Sequence, residues 1–351
     1  MIKTLSARLL LTSIFTLSLS TASFAYHAAQ DITLAQVTAD VSYLASDELQ
    51  GRGNFSAELG QAADYIAKRF EESGLTNATG ISASNFLQHY EITKITPMQL
   101  SLTLNGKDVA ADKLAIASTA EMLSWHVDSK ANIAKANFTL HTVSKGDDMR
   151  VTLGKLNQQG GQHLVLLNSA HADLFKRYQS YFGRGLTKLA NTDNGKGGAI
   201  VMVLTDLTTV QVNNLTLTAV NIKSSHELNN VVAVLPGKSK PEEIVLYSAH
   251  YDHLGVKNSQ DGSDNIYNGA DDDASGTAAI INLAQHFAKQ GKNERTLMFA
   301  AFSAEEIGGF GSKYFSKQLD PNKITAMINI EMIGKPSKFG AGSIWMTGME
   351  R

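Results

Sequence analysis

Four nearly continuous apolar runs toward the end of this 351-residue chain limit the architectures open to it. They cover residues 231–235, 244–249, 297–303 and 324–330. Between the second and third runs, Ser275–Gln290 has the spacing of an amphipathic helix. Near-continuous apolar strands joined by a helix are typical of a sheet covered on both faces. The sequence therefore predicts an α/β domain whose mixed, mostly parallel sheet is flanked by helices.

The earlier part of the chain divides into two patterns. Residues 37–49 and 59–75 have helical spacing and are separated by a turn that contains Gly51 and Gly53. From about residue 99 to 228, short alternating runs between Gly, Asn and Asp turns predict a small inserted α/β or β-rich domain. We therefore expect residues 26–98 to begin the main domain and residues 99–228 to form the insert. Residues 229–351 should form the core of the main domain.

The first 25 residues have the order of a signal peptide, which is a basic start, an apolar run and small residues ending at Ala25. The apolar run is shorter than the roughly 20 residues that cross a bilayer. We therefore expect no membrane anchor and a periplasmic or extracellular protein. A net charge of −2 gives no reason to favour nucleic acid as a partner. Because the chain has no cysteine, metal ligands must be His, Asp or Glu.

Polar clusters follow three of the predicted strands, and a fourth cluster opens the predicted helix. Open α/β sheets bind their ligands at the carboxyl ends of the strands. His250 and Asp252 follow the strand 244–249, and this pairing suits a metal ligand and the carboxylate that fixes its tautomer. On its own the pattern is weak, because a histidine at a strand end is more often a polar surface residue. Two roles are open to His253, one residue further on: a place near the metals and a structural role, of which the structural role is favoured.

Three adjacent carboxylates, Asp271, Asp272 and Asp273, stand immediately before the predicted helix. A single Asp there is explained as a helix N-cap, where the helix dipole favours negative charge. Three of them repel one another unless a cation neutralises them, so metal binding is the better interpretation. The spacing of a calcium-binding EF-hand loop is absent.

Glu305 and Glu306 follow the strand 297–303, and Glu331 ends the strand 324–330. Two neighbouring carboxylates can divide the work, one binding metal and the other acting as a general base. A solvated acidic pair is the alternative for Glu305 and Glu306. Glu331 stands in an apolar run, where a lone buried charge is costly and requires a partner.

Together these motifs resemble the co-catalytic di-zinc exopeptidases of clan MH, the aminopeptidase Y and glutamate carboxypeptidase-like family. The resemblance covers residues 37–75 and 230–351. It includes the stretch Leu-Ala-Ser-Asp-Glu-Leu-Gln-Gly-Arg-Gly at 44–53, which matches the opening of many bacterial members. The ordered set His-x-Asp, Asp-Asp-Ala-Ser-Gly, Glu-Glu and Glu-Met-Ile-Gly is highly specific.

The resemblance implies two zinc ions and a role for each site residue. His250 and Glu331 would hold one zinc, Asp272 would bridge both, and Glu306 would hold the other. Glu305 would be the general base, Asp252 would orient His250, and Asp271 and Asp273 would support the site without ligating. Many relatives have Asp where this chain has Glu331, a change that keeps the oxygen ligand but lengthens its side chain.

The implied activity is that of an aminopeptidase acting on peptides with a free N-terminus. Alternatives are a carboxypeptidase or a glutaminyl cyclase on the same fold, or a non-catalytic peptide-binding relative. The family's last His ligand comes from a loop beyond the fourth strand, but no His follows His286 in this chain. We therefore expect the sequence to be truncated at its C-terminus and this fragment to bind metal poorly or to be inactive.

Overall fold

The computed structural model describes residues 32–82, 85–128, 136–190, 198–257 and 263–348. The expected signal peptide, residues 1–25, lies outside them. Within the described ranges the α-helices are α1 Leu34–Leu44, α2 Ala57–Glu72, α3 Met149–Gln159, α4 Ala172–Gly183, α5 Ser275–Gln290 and α6 Phe310–Ser316. None of the helices in this part of the chain is long and apolar enough to cross a bilayer.

The strands belong to three sheets. In chain order they are β1 Thr76–Asn77, β2 Leu87–Leu104, β3 Lys107–Asp108, β4 Leu114–Ser118, β5 Met122–Val127, β6 Thr139–Val143, β7 Gln162–Leu167, β8 Leu186–Leu189, β9 Ala199–Leu204, β10 Leu215–Leu235, β11 Lys240–His250, β12 Gly255–Val256, β13 Ile266–Tyr267, β14 Arg295–Phe302 and β15 Ile324–Asn329. β12 and β13 form a small hairpin sheet of their own.

The main sheet is mixed, and its backbone path runs β15-β11-β14-β10-β2-β3. β11 pairs in parallel with both β14 and β15, whereas β10 pairs antiparallel with β14 and with β2. The parallel part arises because α5 crosses over between β11 and β14, as parallel neighbours require. The predicted mixed α/β fold with flanking helices is confirmed, but the prediction of a mostly parallel sheet is wrong. Among the described strands of this sheet, β11 pairs in parallel with β14 and β15, and the pairs made by β10 and β2 are antiparallel.

Helices cover both faces of the main sheet around β14. On one face, Phe299 and Ala301 pack in a core with Ile66 and Phe70 of α2 and with Ile280 of α5. On the other face, Met298, Ala300 and Phe302 pack with Phe315 of α6. Because consecutive side chains of a strand point to opposite faces, a strand buried on both sides must be apolar throughout. This explains the unbroken apolar run at 297–302.

A second sheet of four strands, in the order β4-β9-β7-β6, lies in the segment that was expected to be the insert. One of its faces is covered by α3 and α4, and the other shares a core with β5 and with the outer parts of β2 and β10. β2 and β10 pair from Leu87 to Leu104 and from Leu215 to Val231. They therefore run without interruption across the expected boundaries at residues 98 and 228.

The N-terminal helices differ from the prediction in one respect that matters for the site. α1 ends at Leu44, and the stretch predicted to continue it forms a short 3₁₀ turn over Asp47–Arg52. Gln50 and Arg52 have a left-handed backbone, with φ of 44° and 49°, so a regular helix cannot continue through these residues. α2 then begins after Ser56, whose hydroxyl caps the backbone N–H of Leu59 at 3.2 Å.

Candidate metal centre

His250 is the last residue of β11 and is buried at the carboxyl edge of the main sheet. Its Nδ1 lies 3.1 Å from the carbonyl oxygen of Asp252 and 3.6 Å from the Asp252 carboxylate. Its Nε2 lies 3.0 Å from Oδ1 of Asp272. Asp252 thus holds one ring nitrogen, and the other nitrogen points at a carboxylate, which is the orientation that a metal-ligating imidazole requires.

The three consecutive aspartates, in the segment Ala270–Ala274 before α5, have different surroundings. Asp272 faces His250, as described above. Asp273 is fully buried and accepts the backbone N–H groups of His250, Gly276 and Met332 at 3.3, 2.9 and 3.1 Å. Asp271 accepts the backbone N–H of Gly334 at 2.9 Å. Asp273 and Asp271 therefore bind backbone groups of neighbouring segments, whereas the Asp272 carboxylate faces His250.

Glu305 and Glu306 lie in the loop after β14, beside Asp252. The buried Asp252 carboxylate accepts the backbone N–H of Glu305 at 3.1 Å and that of Glu306 at 3.2 Å. The Glu306 side chain extends to His253, whose Nδ1 lies 2.7 Å from Oε1 of Glu306. The loop that carries both glutamates is thereby attached to the end of β11.

The structure brings His253, Asp272 and Glu306 together, with one ligand atom from each lying within 4.8 Å of the others. Asp272 therefore contacts His250 on one side and lies beside the pair of His253 and Glu306 on the other. Carboxylate oxygens and imidazole nitrogens are the donors that zinc accepts in cysteine-free sites. This set of donors fits zinc, and Asp272 has the central position that a bridging ligand needs.

Two residues are placed differently from what the sequence suggested. His253 was assigned a structural role, yet its ring belongs to the group of potential metal ligands. Glu331 is exposed, and its Oε1 accepts a hydrogen bond from Nδ2 of Asn329 at 2.7 Å. Glu331 follows β15, which lies at one end of the strand order, and Asn329 two residues earlier provides a local partner for its carboxylate.

The charged groups perturb one another. Burial opposes the charged form of His250, yet the adjacent Asp252 carboxylate, together with other acidic groups, raises the pKa of His250 to about 9. Burial raises the pKa of Asp273 to about 7, against the lowering effect of His250 and the N–H groups that it accepts. Partial desolvation also raises the pKa of Glu305, although His250 opposes this and neighbouring carboxylates add to it.

A pocket of about 490 Å³ borders this cluster on the side of Glu306 and His253. Part of its lining is apolar and comes from Phe55, Leu254 and Ile307. Leu254 is 55% exposed, so its side chain is open to a ligand. An open cleft with apolar walls and a few charged groups at one end is the usual form of a small-molecule or peptide site.

Sequence reasoning assigned no role to Arg52 or Asn54, which both contact the cluster. Nδ2 of Asn54 donates to the Asp252 carboxylate at 2.6 Å, across 198 residues of sequence. Arg52 donates to the carbonyl oxygens of Tyr251 and Gly269 at 2.7 and 3.0 Å. The signal available in the sequence was the polar stretch Gln-Gly-Arg-Gly-Asn at 50–54, which did not reveal these distant partners.

Comparison with protein families identifies one match. Residues 230–340 match the model of peptidase family M28. That range includes β11, α5, β14 and β15 and every residue that the sequence assigned to the site. Arg52 and Asn54 lie outside it.

Individual relatives match over part of their length. A vacuolar membrane protease of Schizosaccharomyces pombe is 30% identical over 160 residues, which are 46% of this chain and 17% of that protein. A probable zinc metalloprotease of Leptosphaeria maculans is 34% identical over 109 residues, which are 30% of this chain and 25% of that protein. The matched segments thus span a quarter or less of these relatives. The solved aminopeptidase of Aneurinibacillus sp. strain AM-1 is 16% identical, with a TM-score of 0.48 over 88% of this chain and 72% of that one.

Proposed function

We propose that this protein is a zinc-dependent aminopeptidase that hydrolyses the N-terminal peptide bond of peptides, because residues 230–340 match the model of peptidase family M28. The observation that carries the proposal is the position of Asp272. Its carboxylate lies 3.0 Å from Nε2 of His250 and belongs to the same cluster as His253 and Glu306. Glu305, the residue before Glu306, supplies a second carboxylate whose backbone is fixed by Asp252.

We assign two zinc ions to the centre. His250, Asp272 and Glu331 would hold one, for which the Glu331 carboxylate has to exchange its hydrogen bond from Asn329 for the metal, and Asp272 and Glu306 would hold the other. His253 offers a ring nitrogen beside Glu306 and adds an imidazole to the second set. A carboxylate that bridges two ions is the arrangement that joins co-catalytic metals. When bound, the zinc ions would polarise the scissile carbonyl group and lower the pKa of a water molecule, so that it loses a proton readily and becomes a nucleophile.

The residues of the chain then carry out the proton transfers. Glu305 accepts the proton of the attacking water and returns it to the leaving amine. Desolvation raises the pKa of Glu305 above the ordinary glutamate value, and a more basic carboxylate accepts a proton more readily. Asp252 fixes the backbone of Glu305 and Glu306 and keeps the ring of His250 oriented. A merely solvated acidic pair would not need a buried carboxylate beneath it.

The proposed substrates are peptides with a free N-terminus. The pocket beside Glu306 and His253 would accept part of the peptide, and its apolar wall from Phe55, Leu254 and Ile307 favours an apolar side chain there. The free amino group would be held by the acidic residues of the centre. The carboxypeptidase and glutaminyl cyclase alternatives share the fold and become outcomes of the test below.

We propose a periplasmic or extracellular location, which rests on the sequence pattern of residues 1–25. We also propose that residues 99–228 act as a module built onto the peptidase domain and continuous with it through β2 and β10. Its second sheet, β4-β9-β7-β6, supports this view because the sheet has a helical layer of its own.

The proposal is tested with the intact protein and amino-acid 4-nitroanilides, in zinc and after treatment with a chelator. Hydrolysis should require metal, and it should occur on peptides with a free but not an acetylated N-terminus. Glu305→Gln should lower kcat by about 10² to 10⁴, the usual contribution of a general base. The control is Glu227→Gln, which alters an exposed glutamate paired with His89.

Two results would replace the aminopeptidase assignment. Cleavage of N-acetylated peptides from their C-terminal end would identify a carboxypeptidase. Release of ammonia from N-terminal glutamine, without peptide hydrolysis, would identify a cyclase. Unchanged hydrolysis in Glu305→Gln would remove Glu305 as the base.

A further inference from the structure

Residues 50–54, which we call the 50–54 turn, contact the loops that carry the candidate metal centre. The turn lies about 180 residues before the family-matched region. Gln50, Gly53 and Asn54 line the pocket beside Glu306 and His253, but the function proposed above assigns the turn no part in the metal centre. Gly53 forms a parallel bridge with His253, and the backbone N–H of His253 donates to the carbonyl oxygen of Arg52 at 3.1 Å. The turn therefore touches the loop after β11 through its backbone as well as its side chains.

Arg52 joins three segments of the chain through its guanidinium group, which is fully buried. Its Nε donates to the carbonyl oxygen of Tyr251 at 2.7 Å, in the loop between His250 and Asp252. Its terminal nitrogens donate to the carbonyl oxygens of Asn268 and Gly269 at 2.7 and 3.0 Å, immediately before the aspartate segment. A further bond goes to the carbonyl oxygen of Leu44 at the end of α1.

These bonds fix the distance between the two loops that carry His250 and Asp272. The guanidinium also puts a positive charge beneath an acidic cluster. Burial lowers the pKa of Arg52 to about 10, and the charges of Asp252, Asp273 and Asp272 oppose that lowering, so the group stays protonated at neutral pH. A planar fork with five N–H donors can bind several carbonyl oxygens in a fixed geometry, which a lysine ammonium cannot reproduce.

Asn54 connects the same turn to the third loop of the centre. Its Nδ2 donates to Oδ2 of Asp252 at 2.6 Å, and its Oδ1 accepts the backbone N–H of Ala304 at 3.1 Å. Ala304 immediately precedes Glu305 and has left-handed backbone with φ of 59°. A residue with a Cβ seldom adopts this conformation, so it must be held by its surroundings. The amide of Asn54 makes one of the contacts that hold it.

The turn itself has the same character. Gln50, Gly51 and Arg52 are left-handed in succession, with φ of 44°, 66° and 49°. Gly51 has no room for a side chain, because an added Cβ would meet the carbonyl oxygens of Tyr267 and Gly255. Two non-glycine residues in a sparsely populated backbone region, packed against a site, are typical of a functional constraint.

We propose that the 50–54 turn is the positioning element of the metal centre, in which Arg52 sets the separation of the two metal-ligand loops and Asn54 sets the orientation of the loop bearing Glu305 and Glu306. The inference rests on the proposed function for its catalytic readout, and on metal binding alone for its other readout. Arg52 and Asn54 act through other residues and are not themselves ligands or proton carriers.

The first test compares Asn54→Ala with Asn168→Ala. Asn168 makes the same pair of bonds in the second sheet's loop, donating to the Asp206 carboxylate and accepting the backbone N–H of Ala170, both at 3.0 Å. Asn54→Ala should weaken zinc affinity, measured by competition with a chromophoric chelator, by about 10- to 100-fold. At saturating zinc it should lower kcat with little change in KM. Asn168→Ala should leave both quantities unchanged.

The second test compares Arg52→Lys with Arg69→Lys. Arg69 also makes a buried contact, to the Asp40 carboxylate at 2.8 Å, but it lies on α2. Both substitutions should lower the thermal unfolding midpoint, because each removes several hydrogen bonds of a guanidinium group. Arg52→Lys alone should weaken zinc affinity by about 10- to 100-fold and change the visible absorption spectrum of the Co²⁺-substituted protein, which reports ligand geometry.

The outcomes separate this inference from the proposed function. Zinc affinities of Asn54→Ala and Arg52→Lys equal to those of their controls would overturn the positioning role, whether or not the protein is a peptidase. Should Arg52→Lys fail to fold, Asn54→Ala alone decides the question. A wild-type protein that binds zinc but hydrolyses no peptide would defeat the proposed function, and the zinc affinities would still test the turn.

Discussion

The carboxylate of Asp252 accepts the backbone N–H of Glu305 at 3.1 Å, although the two residues are separated by 53 positions in sequence. The same carboxylate accepts the N–H of Glu306 at 3.2 Å. Asp252 lies two residues after the end of β11 and the glutamates follow β14, so the bonds connect the loops at the carboxyl ends of two neighbouring parallel strands. The role of Asp252 thus extends beyond the orientation of His250 to the loop that bears the proposed general base.

This relationship predicts the effect of Asp252→Asn. Both carboxylate oxygens accept N–H groups, so an amide nitrogen in place of either oxygen would face a donor. We expect kcat to fall by about 10- to 100-fold and the free energy of unfolding to fall by about 1–3 kcal/mol. Steady-state kinetics and urea unfolding measure the two effects. Asp206→Asn is the control, since Asp206 also accepts a backbone N–H, from Ser169, but lies in the second sheet's loop. Equal effects in the two variants would contradict the account.

Two glycine-to-alanine substitutions should have opposite effects on stability. Gly276 is the second residue of α5. A Cβ added there would meet the carbonyl oxygen of Ile330 and lie 2.5 Å from the Asp273 carboxylate. Gly276→Ala should therefore lower the free energy of unfolding by about 1–3 kcal/mol. At Gly60, inside α2, the Cβ would meet nothing within 4 Å, and Gly60→Ala should raise it by about 0.5–1 kcal/mol. Thermal or urea unfolding of both variants measures the difference, and a stabilising Gly276→Ala would contradict the packing described.

The pH dependence of stability should include a contribution from His141 in β6. Burial lowers the pKa of His141 below its ordinary value of 6.5, and the charge of His163, whose Nδ1 is 3.2 Å from Nε2 of His141, adds to this. The folded state thus binds fewer protons than the unfolded state as pH falls through this range, so stability decreases. His141→Gln should reduce the loss of stability between neutral and mildly acidic pH, measured by urea unfolding. His126→Gln, at an exposed position of β5, is the control. An identical pH slope in His141→Gln and wild type would refute the assignment.

Metal should stabilise the fold. Asp272 and Glu306 lie in one cluster, and Asp271 and Asp273 adjoin it, so a bound cation relieves repulsion between like charges. A ligand that binds only the folded state at about 100 times its dissociation constant adds about 2.7 kcal/mol. The thermal unfolding midpoint should rise with zinc and fall with chelator. An unfolding midpoint indifferent to both would exclude a metal site coupled to folding.

Part of the main sheet was predictable from local pattern, because β14, the C-terminal half of β11 and one face of α5 are buried and their sequences are apolar at the spacing of each element. The proximity of His250, Asp272 and Glu306 was predictable for a related reason, since the fold brings the ends of β11 and β14 and the start of α5 to one edge. The assignment of these residues as metal ligands stays a prediction. The contacts of Arg52 and Asn54 were not, because each joins segments about 200 residues apart and leaves no periodic trace. The place of His253 near the other potential ligands was not favoured by the sequence, because its ring contacts Glu306, which lies 53 residues further on.

The end of α1 illustrates a second limit. Apolar spacing predicted a helix through residue 49, but the chain leaves the helix after Leu44 and adopts left-handed backbone at Gln50 and Arg52. Local propensity disfavours that conformation for both residues. The tertiary contacts of the Arg52 guanidinium outweigh it, and such contacts are visible only in the folded structure.

The account depends most on metal binding around Asp272, and anomalous X-ray scattering at the zinc absorption edge tests this directly. Crystals of the intact protein soaked in zinc should show two anomalous peaks, both within bonding distance of the Asp272 carboxylate, one of them beside His250 and the other beside Glu306. An anomalous map with no peak at Asp272, from crystals shown to contain zinc elsewhere, would contradict the account.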